Sequence, residues 1–89
     1  MRKEDKIKWI LEYIQKYGSV DVLDSRFHKE YINNCKPKTT DWHGLDFAIA
    51  PELGRYLSEM YKNNLIRRTK ISLGYRERHA PSYIYKYFI

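Results

Sequence analysis

Residues 5–17 carry their apolar side chains at helical spacing. Ile7, Ile10, Leu11 and Ile14 fall at i, i+3, i+4 and i+7, which makes one buried stripe. Trp9, Tyr13 and Tyr17 run beside it in steps of four and widen that face. Asp5 is placed to cap this helix, and Gly18 to end it in the left-handed conformation. A second stripe of Val20, Leu23, Phe27 and Tyr31 predicts a helix from a Ser19 or Asp21 cap to Asn33. Asn33-Asn34 and Lys36-Pro37 stop it, because the residue before a proline avoids the helical region.

Residues 34–48 are the least periodic part of the chain and long for a helix–helix connection. Residues 46–49 can form a short extra strand there. Trp42 is expected as a core anchor holding the connection, with a protein-binding anchor as the other reading. Pro51 opens a third helix over 51–64, since its missing N–H costs nothing at the first helical position. Leu53, Leu57, Met60, Tyr61 and Leu65 form its buried stripe, and Asn63-Asn64 can supply a left-handed end.

From Leu65 the period changes from 3.6 to 2. Arg67, Thr69, Ile71 and Leu73 point one way, and Arg68, Lys70 and Ser72 the other. Gly74 breaks this strand, residues 75–81 form a loop closed by Pro81, and SYIYKYFI alternates as a second strand. The pattern as a whole predicts an α+β domain of three helices followed by a two-stranded hairpin.

At 89 residues there is room for one core. The apolar share of 43% is ordinary, whereas nine tyrosines raise the aromatic share to 16%. Cys35 is alone, so no internal disulfide forms and a reducing, cytoplasmic location is expected. The first residues lead into an amphipathic segment rather than a signal peptide. No run approaches the roughly 18 apolar residues a bilayer span needs, so no membrane role is expected.

Charge separates sharply along the chain. Residues 1–61 hold ten Lys/Arg and ten Asp/Glu. The net charge of +6 therefore comes from the remainder, where Lys62, Arg67, Arg68, Lys70, Arg76, Arg78 and Lys86 face only Glu77. A neutral helical body bearing a cationic hairpin suits a polyanion such as nucleic acid.

Residues 53–73, LGRYLSEMYKNNLIRRTKISL, resemble a segment of winged helix-turn-helix regulators: a recognition helix, a polar turn before Leu-Ile, then paired arginines opening a strand. The resemblance runs from Asp5 to Phe88 and is at superfamily level. The chain departs from the pattern in its long connection before the third helix. It also has no further C-terminal helix, so a homodimer would use the first helix, the Trp42 region or a sheet edge.

The resemblance implies that the third helix enters the major groove of double-stranded DNA, as in a small transcriptional regulator. Arg55 would fork onto guanine, with Tyr56, Ser58, Glu59 and Lys62 touching bases or backbone. The segment 74–82 corresponds to the wing, where Tyr75, Arg76, Arg78 and His79 would meet backbone or minor groove. Arg68 and Lys70 are expected on the exposed face of the adjoining strand, with Arg67 and the tyrosine face belonging to the fold. Lys36 and Lys38 can reach phosphates from the long connection.

Other chemistries find little support. His28, Cys35, His43 and His79 match no structural zinc spacing, and no glycine-rich phosphate loop is present. Cys35 lacks an orienting third group and reads as a small apolar residue, so neither catalysis nor a cofactor is expected. A second use of the same fold is a protein-interaction module, such as a replication or recombination accessory factor or an inhibitor from a virus or mobile element. Tyr83, Tyr85 and Tyr87 on one face of the last strand are its motive.

Overall fold

Gly18 decides where the first helix stops. In the computed structural model, which describes residues 1–42, 48–72 and 83–89, helix α1 spans Lys3–Tyr17. Gly18 then turns the chain at φ 86°, its N–H donating to the Ile14 carbonyl at 2.7 Å. The helix begins ahead of Asp5, from Arg2 and without a side-chain cap. Glu4 and Asp5 instead occupy its first turn, where carboxylates favour the positive end of the helix dipole.

Val20 does not join the second helix. The chain leaves Gly18 extended and forms a short strand, β1 (Ser19–Asp21). The Asp21 side chain accepts the Leu23 N–H at 2.8 Å and turns the chain, leaving Leu23 exposed. Asp24, rather than Ser19 or Asp21, is the cap, accepting the N–H groups of Arg26 and Phe27. Helix α2 (Ser25–Cys35) follows and buries Phe27, His28, Tyr31 and Cys35. Lys36, at φ 47°, closes it in the left-handed region, two residues beyond Asn34.

Within the long connection, β2 (Asp41–Trp42) and β3 (Ala48–Ile49) pair antiparallel, Asp41 opposite Ile49 and Trp42 opposite Ala48. The extra strand expected over 46–49 is thus present as Ala48–Ile49, while 46 and 47 lie outside the described residues. Trp42 is not a core anchor, since 69% of its surface is exposed. Packing of the connection falls to β3 and Ala50 against α2, where the buried His28 ring bridges two backbone segments. Its Nε2–H donates to the Val22 carbonyl at 2.7 Å, and its Nδ1 accepts the Ala50 N–H at 3.1 Å.

Helix α3 (Pro51–Lys62) opens at Pro51 and buries Leu53, Leu57 and Met60. Tyr61 and Leu65 do not complete the stripe, being 37% and 46% exposed. Asn64, at φ 63°, redirects the chain so that Ile66 turns inward instead. Strands β4 (Arg67–Ser72) and β5 (Tyr83–Phe88) then pair antiparallel, and β1 adds to the other side of β5. Among the described residues the sheet order is β1-β5-β4, which leaves β4 as an open edge beside the end of α3.

The core joins Ile10, Ile14, Phe27, Tyr31, Leu53, Leu57, Met60 and Tyr87 into one cluster. The described residues form a small α+β domain of three helices, a three-stranded antiparallel sheet and a two-stranded ribbon. Among the described residues, no helix is long and apolar enough to cross a membrane.

Candidate nucleic-acid interface

Helix α3 presents two opposed faces. Leu53, Leu57 and Met60 are inside, so Arg55, Ser58, Glu59 and Lys62, at i, i+3, i+4 and i+7, fall on the side away from the core. Arg55 and Lys62 are exposed; Ser58 and Glu59 are half-buried. Glu59 is held by Lys3 of α1 at 2.7 Å, and this hydrogen bond raises the Lys3 pKa. Tyr56 lies to the side of the stripe, half-buried against the core, with the Lys3 ammonium 5.6 Å from its ring centroid. Of the five α3 positions singled out by sequence, four therefore share one outward face and Tyr56 belongs largely to the packing.

The base of this helix is fixed from inside the protein. Glu52, in the first turn of α3, is buried and receives the Lys6 ammonium of α1 at 2.7 Å and the Tyr31 hydroxyl of α2. Burial pushes the Glu52 carboxyl up. The hydrogen bonds from Lys6 and Tyr31 outweigh that and hold it below the usual carboxylate range. One buried carboxylate thus sets α3 against both other helices.

The hairpin corrects the expected division of its charges. Arg68 pairs across the sheet with Tyr87, and Lys70 with Tyr85, so both share the tyrosine face that Tyr87 turns into the core. Arg68 is half-buried rather than exposed. Its guanidinium is sandwiched between Tyr61 of α3, at 3.8 Å, and Tyr85 of β5, at 3.9 Å. Arg67, expected to belong to the fold, is instead exposed. Lys70 is exposed with its ammonium 3.9 Å over the Tyr83 ring.

Sequence reading missed Tyr61 and Arg67 as members of this surface. The parity of the hairpin was the available signal. Equal counts outward from Gly74 and Pro81 set Ser72, Lys70 and Arg68 opposite Tyr83, Tyr85 and Tyr87.

Between the end of α3 and the open edge of β4 lies a cavity of about 460 Å³ lined by Tyr61, Lys62, Asn64, Ile66, Arg67 and Arg68. Among the described residues it carries three cationic side chains and no acidic one. The ion pairs among the described residues are Lys3–Glu59, Lys6–Glu52 and Arg26–Glu30, so none neutralises this group. Lys36 and Lys38 are exposed on the connection after α2, apart from this cavity's lining. Tyr75, Arg76, Arg78 and His79 lie outside the described residues. Comparison with protein-family models, with characterised proteins and with solved structures finds no match.

Proposed function

We propose that this chain is a winged helix-turn-helix protein that binds duplex DNA and works as a small transcriptional regulator inside the cell. Helix α3 enters the major groove, and the basic segment joining β4 to β5 lies on the backbone or in the minor groove. The observation that carries this reading is the outward stripe of α3, headed by Arg55 and Lys62, beside an edge strand bearing exposed Arg67 and Lys70. Strand β1 between the first two helices, paired to the inner hairpin strand, adds support because it ties the hairpin to the helical body.

Salt titration of binding to a duplex tests the proposal. Neutralising four to six phosphates gives a log–log slope of about −4 to −5. Absence of duplex binding at low salt overturns it.

The use of the same fold as a protein-interaction module now draws on a different residue. Tyr87 is buried and Tyr85 is half-buried under Arg68, so two of the three tyrosines are engaged by the fold. Trp42, exposed on its two-stranded ribbon, is the feature that favours this alternative.

A further inference from the structure

The inner face of the hairpin runs from the core out into solvent as a ladder of rings and cations. Tyr87 is buried, Tyr85 half-buried and Tyr83 40% exposed, so the ladder opens progressively toward the hairpin tip. Arg68 fills the space between Tyr85 and Tyr61, and Lys70 covers Tyr83. Tyr83 also meets Tyr85 edge to face at 5.5 Å, which fixes the plane of the exposed ring.

We infer that this ladder is a stacking shelf for an unpaired nucleotide, and that the preferred substrate is duplex DNA carrying unpaired bases beside the bound site. The inference rests on the duplex-DNA reading above and adds the substrate class.

Three observations carry it. An oriented, exposed aromatic ring offers a face to any base, because every base has a π-surface. Lys70 is exposed and unpaired among the described residues, so its ammonium can move from the ring to a phosphate and uncover the ring. The cavity at the α3–β4 corner places Lys62, Arg67 and Arg68 beside the shelf, where the backbone of the same strand is held. Arg68 is shared between the two, stacked on Tyr61 and Tyr85 while lining the cavity. A base inside a duplex has both faces covered by its neighbours and gains nothing from such a ring. The shelf therefore discriminates for unpaired nucleotides.

The test compares the affinity of the full chain for a labelled blunt duplex with that for the same duplex carrying a short oligothymidine extension at either end. The expected result is binding at least about fivefold tighter for one extended duplex. In Tyr83→Ser the ratio of the two affinities falls to about one, whereas Tyr83→Phe keeps it, because stacking needs the ring and not the hydroxyl. Thermal melts of both variants report whether the hairpin remains folded. Should Tyr83→Ser fail to fold, Lys70→Gln serves instead: it keeps the ring and removes the phosphate partner, and the expected ratio falls between those of the wild type and one. Equal affinities of the wild-type chain for blunt and extended duplexes overturn the shelf and leave the duplex reading standing. Binding of extended but not blunt DNA overturns the duplex reading and keeps the shelf. Binding of neither overturns both.

Discussion

Lys6 and Glu52 meet at 2.7 Å in the core, 46 residues apart in sequence, and the Tyr31 hydroxyl donates to the same carboxylate oxygen. The first helix, the second helix and the first turn of the third are thereby joined at one atom. An ion pair removed from water gains stability only when both partners are present, since either alone is an uncompensated buried charge. Such a contact specifies an arrangement more than it strengthens it. Here the arrangement is the placement of α3, the helix whose outer face is proposed to read DNA.

Replacing Glu52 by Ala leaves Lys6 buried without a counter-charge and Tyr31 without its acceptor. The expected cost is about 3–5 kcal/mol in urea unfolding, a large part of what a domain of this size holds. The double variant Lys6→Met with Glu52→Leu should recover part of that loss, because both charges leave together while the buried Tyr31 hydroxyl stays without an acceptor. Independent, additive losses from the two sites show that the residues do not form the pair.

Stability should fall at both ends of the pH scale, for opposite reasons. Glu52 has a folded pKa held below its unfolded value, so its contribution is complete above about pH 4.3 and drains away as pH falls through the lower folded value. Burial pushes the Tyr13 hydroxyl up to about 12 and the Cys35 thiol up to about 11, and drives Tyr31 higher still. The fold favours their neutral forms. That contribution is complete below their ordinary values, about 8.5 for Cys and 10 for Tyr, and is lost as pH rises through the raised ones. Thermal melts across pH should trace a plateau with two shoulders. Glu52→Gln should flatten the acid shoulder, and Tyr13→Phe should shrink the alkaline one to the part that Cys35 and Tyr31 supply.

The order of helices and hairpin was legible because each obeys a simple period: 3.6 in residues 5–17 and 51–62, and 2 in the last strand. Boundaries were less so. Val20 and Leu23 happen to stand at helical spacing from Phe27, but Asp24 outcompetes Ser19 and Asp21 as a cap, and the freed segment finds a strand partner in β5. That pairing is non-local and leaves no trace in a short window. Leu65 and Ile66 were exchanged for a similar reason: a left-handed Asn64 rotates the following residues out of helical phase. At the candidate site, the α3 stripe could be read directly. Arg68 could not, because its place between Tyr61 and Tyr85 depends on three elements converging.

His28 is buried with both ring nitrogens hydrogen-bonded to backbone. It accepts from the Ala50 N–H and donates to the Val22 carbonyl, so it locks the entry of α3 to the turn before α2. His28→Phe preserves ring volume but strands a buried donor and a buried acceptor. The expected loss is about 2–5 kcal/mol by chemical denaturation. A loss no greater than that of a surface substitution shows that the ring does not bridge these groups.

Arg55 and Lys62 stand on the same outward face of α3, yet they should fail differently when removed. Both are exposed, so alanine at either position should leave the unfolding curve almost unchanged. On a duplex selected from random sequence, Arg55→Ala should cost about 1–3 kcal/mol of binding and relax the preference at one base pair, as loss of a bidentate guanine contact does. Lys62→Ala, at the end of the helix beside the cationic cavity, should weaken all duplexes alike and reduce the salt slope by about one. Glu59→Ala releases Lys3 from its only ion-pair partner among the described residues, and the freed cation should steepen the slope rather than change the preferred sequence. If Arg55→Ala also lowers binding uniformly, with no base preference altered, α3 lies along the phosphate backbone and the sequence reading belongs to another element.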